Sequence, residues 1–298
     1  MWRIAIWIST GLFFWGCRQP PPWLKEAPTI GIRIQDDLGR TLYLPKPPQR
    51  VALAAPEALP LWEKANLLDR LVGACYGSGD NLRLFYLLCD DSLALTEALY
   101  KAQADWVWVS RRNQIASFPE EKIFVYNPTS PAQWVRHLRL LGQVYNHLAL
   151  IRLADSLSAY LSLLNQKLQE ARRFRVLVLT QGEPFHILTQ EHPFVAYIQQ
   201  VGGYVPYTAD SLQPSGLLSK DTLLAFPPEV ILVPEKATDL LNDFLRVYPE
   251  MYASPAIQYQ RIFAFPSALV INPHAEPFKT LYLLLRILHP EVAGQDTV

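Results

Sequence analysis

The stretch that most constrains this chain is NHLALIRLADSLSAYLSLLNQKLQEARR, residues 146–173, which runs without glycine or proline. Leu150, Leu153, Leu157, Leu161, Leu164 and Leu168 recur at steps of three and four, which places them on one face of a single helix. Asn146 is the expected N-cap, and Arg172 and Arg173 suit the negative end of the helix dipole. At 1.5 Å per residue such a helix is about 40 Å long. A rod of that length in mid-chain divides the remaining elements into a set before it and a set after it.

Both sets are rich in continuous apolar runs, the pattern of parallel strands buried on both faces. Before the helix stand RVALAA (50–55), LVGAC (71–75), DWVWVS (105–110) and KIFVYN (122–127). After it stand RFRVLVLT (173–180), EVILVP (229–234) and RIFAFPSALV (261–270). Helical segments alternate with them: EALPLWEKANLLD and DSLALTEALYKAQ in the first set, PFVAYIQQVGG, SKDTLLAF, TDLLNDFLRVY and EPFKTLYLLLRIL in the second. The alternation predicts an α/β protein of two Rossmann-like lobes with mostly parallel sheets, joined by one long helix, with a ligand cleft between the lobes. A single stiff helix is a poor hinge, so the cleft should close only slightly. Ahead of the first core strand, IGIRIQ and TLYLP form an expected hairpin whose turn uses Asp36, Asp37 and Gly39, and Pro45, Pro47 and Pro48 end the pairing.

The 298 residues are 50% hydrophobic, enough for two cores. Lys+Arg and Asp+Glu stand at 27 each, so no net field draws the chain to nucleic acid. The opening MWRIAIWISTGLFFWGC has an early cation and then an apolar run too short for a membrane-spanning helix, which needs about 20 residues. It has the form of a secretory signal. Its end, FFWGC, resembles the lipobox of bacterial lipoproteins, which implies acylation of Cys17 and anchoring to a membrane on its extracytoplasmic side; an uncleaved anchor or an ordinary signal peptide is the alternative. The expected division is a signal peptide over 1–17, a Pro-rich tether over 18–29, an N-terminal lobe over 30–145, the helix over 146–173 and a C-terminal lobe over 174–298. Cys75 and Cys89 form one disulfide or remain two buried thiols; the spacing does not choose.

The ordered set of segments resembles the substrate-binding lipoproteins of ABC importers for iron chelates, haem and cobalamin. The residues that carry the likeness are DDLGRTLYLPKPPQRVALAAP (36–56), LLDRLVGA (67–74), VGGYVPY, LSKDTLLAFPPEVILV (218–233) and LLLRILHPE, with the helix between them. The resemblance implies a monomer that captures a ferric siderophore, or else cobalamin or haem, holds no permanent cofactor and delivers the chelate to a permease. It also implies one acidic side chain per lobe that docks transporter arginines. In the second lobe the matching position is Asp221. In the first it is Pro60, so Glu57 or Glu63 would take the role.

Ligands in such folds collect at the carboxyl ends of the strands. Arg111 and Arg112 follow a buried strand and carry donor forks suited to carboxylate or catecholate oxygens. Tyr76, Phe185, Tyr204 and Tyr207 offer faces for stacking on a ring or macrocycle. His186, His192 and His274 are candidate imidazole contacts to haem iron or a corrin cobalt. No cluster has the spacing of a bare metal site, and no GxSxG elbow supports a nucleophile. Two other readings stay open: an enzyme on the same two-lobe scaffold, of the metal-cofactor oxidoreductase or chelatase kind, and a solitary binding module that feeds a sensor.

Overall fold

The computed structural model describes residues 31–75, 85–87, 92–110, 115, 117–182, 185–213, 217–237 and 239–294. The first elements are the antiparallel hairpin β1 (Ile32–Gln35) and β2 (Thr41–Leu44). Its side chains alternate between core and solvent, as a two-sided ribbon requires. Asp36 shapes the turn: its Oδ1 accepts from Leu38 N at 3.0 Å and Arg40 N at 2.9 Å, while Gly39 takes a φ of +78°.

The N-terminal lobe continues with β3 (Val51–Leu53), α1 (Leu59–Lys64), β4 (Leu71–Cys75), β5 (Phe85–Leu87), α2 (Ser92–Lys101), β6 (Trp106–Val109) and β7 (Ile123–Val125). These five strands form one parallel sheet in the order β5-β4-β3-β6-β7. Alternate residues fill opposite layers. Val51, Leu53, Trp106, Trp108 and Phe124 enter the main core, and Ala52, Ala54, Val107, Val109 and Val125 enter a second core on the other side. Both faces are therefore apolar, the reason these strands read as unbroken runs. Trp108 stacks on Phe124 at 4.5 Å and meets the edge of Trp62 at 5.4 Å, so α1 is fixed to the sheet by aromatic contact. That helix is shorter than its sequence pattern: a 3-10 turn over Pro56–Ala58 precedes it, and Asn66, at φ +56°, ends it.

Helices α3 (Pro131–Val144) and α4 (Leu148–Leu168) follow as a tight antiparallel pair. Asn146 proves to be the end of α3 rather than the cap of the long helix. It has φ +50°, and His147 N donates to Gly142 O at 2.7 Å, the closing bond of a Schellman turn. Gly142 also permits the close approach of the two helices, because a Cβ there would sit 2.8 Å from Ile151 Cγ1. The long helix is about 30 Å and ends at Leu168, so Arg172 and Arg173 lie beyond it.

The C-terminal lobe contains β8 (Phe174–Thr180), β9 (His186–Ile187), α5 (Pro193–Gln200), β10 (Gly203–Tyr204), α6 (Lys220–Ala225), β11 (Val230–Pro234), α7 (Asp239–Val247), α8 (Pro255–Gln258), β12 (Ile262–Phe265), α9 (Ser267–Ile271), α10 (Pro277–Leu288) and α11 (Pro290–Ala293). Its sheet runs β10-β8-β11-β12 in parallel, with β9 antiparallel beside β8. The run RIFAFPSALV does not stay extended: β12 stops at Phe265, Pro266 stands at the N-cap, and α9 begins. Arg172, expected to serve the helix dipole, instead ion-pairs with Glu229, which also accepts from Arg175 N at 3.0 Å. Burial pushes the Glu229 carboxyl up, but these hydrogen bonds and the two guanidinium charges outweigh it and hold the group below its usual range. Among the described residues, no helix is long and apolar enough to cross a membrane.

Candidate functional site

The two lobes meet where the segment after β7 and helix α3 face the segment between α9 and α10 and helix α10. Tyr126 follows β7 directly and is fully buried, and Pro128 lies two residues on. Opposite them, His274 lies between α9 and α10, with its Nδ1 2.8 Å from the Tyr197 hydroxyl of α5. The Pro128 carbonyl is close enough to favour a charged His274, although Nε2 makes no full hydrogen bond. Burial wins, and the ring is held at a pKa of about 4. Trp134 of α3 meets the edge of Phe278 of α10 at 6.2 Å, a second contact across the seam.

Asp37, at the tip of the hairpin, reinforces the N-terminal side. It accepts from Asn127 N at 2.6 Å, lies 3.0 Å from His137 Nε2 on α3, and ion-pairs with Arg136. Burial raises its carboxyl, but the His137 hydrogen bond and the charges of His137 and Arg136 outweigh that and hold it low. His137 is itself lowered, because its burial exceeds the pull of Asp37. The 3.0 Å contact between Asp37 Oδ1 and His137 Nε2 joins the tip of the hairpin to α3. The turn chemistry read from the sequence belongs to Asp36 and Gly39; the role of Asp37 is this long-range contact.

Glu57 stands one turn past the end of β3, partly buried, in the 3-10 turn ahead of α1. Its carboxyl sits beside the Ser110 hydroxyl at the end of β6. Burial raises it, and hydrogen bonds from its own backbone and Ser110 oppose the rise only in part. Glu57 is thus half-buried with its carboxyl toward the strand ends. Glu63 is exposed on α1, and Asp221 is exposed on α6, whose N-cap Ser219 accepts from Thr222 N. Glu63 also lines a groove of about 590 Å³ along α4, with Trp134, Leu153, Leu157 and Phe278 among its apolar walls and Lys64 and Lys279 at its edge.

Two expected ring contacts are core residues instead. Phe185 is 1% exposed and packs edge-on against Phe244 at 5.7 Å. Tyr207 is fully buried, and its hydroxyl donates to Phe226 O at 3.0 Å. Both rings are covered by the core in this structure. His186, one residue on, points the other way: it is exposed, pairs with Thr180 at the end of β8 and lies against Gly182, where a Cβ would fall 2.3 Å from its Cδ2. His192 is occupied as the N-cap of α5, accepting from Phe194 N. Tyr204 is exposed on β10. Cys17, Tyr76, Arg111, Arg112 and Cys89 lie outside the described residues, as does the side chain of Cys75. Among the described residues, no group of three His, Cys, Asp or Glu side chains can hold a metal ion. Sequence reading missed the Asp37–His137 and Tyr197–His274 contacts, which join residues far apart in the chain and leave no local signal.

No protein-family model matches the chain, and no curated protein matches it by sequence. Solved structures do. A periplasmic binding protein from Veillonella parvula shares 13% identity at a TM-score of 0.66, covering 89% of this chain and 94% of that one. The periplasmic vitamin B12 binding protein BtuF of Vibrio cholerae shares 17% at 0.63, covering 84% and 99%. The Helicobacter pylori protein CeuE, solved with Ni-His, shares 16% at 0.62, covering 90% and 91%. With two parallel-sheet lobes, the long helix between them and a seam that faces the end of β7, the chain has the fold of the periplasmic binding proteins.

Proposed function

We propose that this protein is an extracytoplasmic substrate-binding protein of an ABC importer that captures a metal chelate between its lobes and delivers it to a permease. The single observation that carries the reading is a pair of parallel-sheet lobes on either side of one long helix, with phenol, imidazole and carboxyl groups near the seam that faces the end of β7. A ferric siderophore is the first expected cargo, with cobalamin or haem next. BtuF and CeuE, which share the fold, are named for vitamin B12 and for Ni-His. Binding, not catalysis, is the role we read, because the fold is shared with periplasmic binding proteins.

His186 is the cargo contact best supported by exposure, with Arg111, Arg112 and Tyr76 as further candidates from the sequence. Asp221 and Glu63 are the docking acids toward the permease. A signal peptide over 1–17, acylation at Cys17 and a tether over 18–29 complete the reading as a membrane-anchored receptor.

Calorimetric titration of the purified chain against ferric siderophores, haem and cobalamin tests it. Saturable one-to-one binding to one of them is expected; no binding to any of them overturns the proposal. Asp221→Ala and Glu63→Ala should leave that affinity unchanged while reducing uptake by the importer.

A further inference from the structure

Strands β3, β6 and β7 are neighbours, and their ends are pinned at one level. Ala54 N donates to Trp108 O at 2.8 Å, and Tyr126 N donates to Val109 O at 2.8 Å. Just past these pins stand Glu57, Ser110 and Tyr126, brought together only by the strand order. The Tyr126 hydroxyl is fully buried and has no hydrogen-bond partner among the described residues. Burial pushes its pKa up, and Tyr197 and the Glu57 carboxyl lie near enough to disfavour its ionisation further. Among the described residues, no cation faces the Glu57 carboxyl and Ser110 is its side-chain hydrogen-bond partner. Among the described residues, then, a partly buried acid has no counter-ion and a buried hydroxyl beside it has no partner, an unfinished set of hydrogen bonds.

We propose that Glu57 is a cargo-contacting residue that accepts a hydrogen bond from an N–H or ammonium group of the chelate, with the Tyr126 hydroxyl beside it. The inference rests on the chelate-receptor reading and narrows it to chelates that carry such a donor. An anionic rim would meet repulsion at this wall of the cleft; an ammonium supplies the missing charge in a desolvated place where its hydrogen bond is strong.

The test compares a ferric trihydroxamate bearing a free terminal ammonium with the same chelate N-acetylated, titrated calorimetrically into the full chain. The ammonium form should bind tighter by about tenfold or more. Glu57→Gln, with its fold checked by circular dichroism and melting, should abolish that preference. Tyr126→Phe should weaken binding of the ammonium form without lowering the melting temperature, because it deletes an unpartnered buried hydroxyl. Equal affinity for the two chelates, or a preference that survives Glu57→Gln, overturns the inference and leaves the receptor reading standing. Binding confined to haem, which offers no N–H donor, also overturns it. If cobalamin is the ligand, loss of about tenfold in affinity on Glu57→Gln supports the inference and no change overturns it. No binding of any chelate overturns the receptor reading, and the inference with it.

Discussion

Asp37 Oδ1 and His137 Nε2 lie 3.0 Å apart and tie the hairpin to α3 across a hundred positions of sequence. Asp37 is also the partner of Asn127 N and Arg136, so the pair organises the segment that leads from β7 to the seam. Removing Asp37 takes the shared carboxylate away from His137, Arg136 and Asn127 N and leaves buried polar groups without a partner. Asp37→Ala should therefore lower stability by about 3 kcal/mol in denaturant unfolding, whereas Leu38→Ala, exposed on the same turn, should change it by less than about 0.5 kcal/mol.

His274 sets a pH window. Its folded pKa of about 4 lies below the ordinary histidine value of 6.5, so the unfolded chain binds the extra proton first. Its contribution to stability is intact above about pH 6.5 and is lost as pH falls toward 4, on the order of 3 kcal/mol in all. His274→Gln should flatten that part of the stability profile, measured by urea midpoints between pH 4 and 7. A slope unchanged by the substitution contradicts the assignment.

Glu229 acts in a lower window. Its carboxyl is held below the usual range by Arg175 N, Arg172 and the guanidinium charges, against the opposing effect of burial. The stabilisation is therefore present above about pH 4.3, the ordinary glutamate value, and disappears as pH falls through the folded pKa. Glu229→Gln should cost about 1–3 kcal/mol at pH 7 and progressively less in acid, as thermal melts across that range will show.

Gly142 tests the helix pair. A methyl group would press on Ile151 Cγ1 at 2.8 Å and on Ile151 N at 3.1 Å, and the second of these is backbone that cannot rotate away. Gly142→Ala should destabilise by about 1–3 kcal/mol despite its higher helix propensity, and the melting temperature will report the sign.

Phe185 and His186 are adjacent and should behave oppositely. Phe185→Ala empties a site beside Phe244 and Tyr248 and should cost about 3 kcal/mol or more. His186→Ala removes an exposed ring, should leave stability within about 0.5 kcal/mol, and should weaken binding of the chelate found by titration.

The two outcomes for Phe185 and His186 show where sequence reading stops. The loop QGEPFHILTQ contains two aromatic rings side by side, and nothing local states which one faces the core. The short strand β9 decides it, because pairing with β8 sends successive side chains to opposite faces. In the same way, Glu57 and Glu63 read alike as acids on one helix. The break from a 3-10 turn to α1 sends one toward Ser110 and leaves the other in solvent.

The sequence by itself determined the two parallel-sheet lobes, the opening hairpin and the long amphipathic helix, because burial on both faces and a period of three to four residues are written in neighbouring positions. It also carried the hairpin turn at Gly39, since that depends on a few adjacent residues. Only the tertiary structure decided that Asn146 ends one helix instead of starting the next, that Tyr207 is core, and that Asp37, His137, Tyr126, Tyr197, His274 and Glu57 gather at one seam. The reason is physical: hydrogen bonds and desolvation depend on what the folded chain brings within about 3 Å, and sheet order, not sequence distance, sets that proximity.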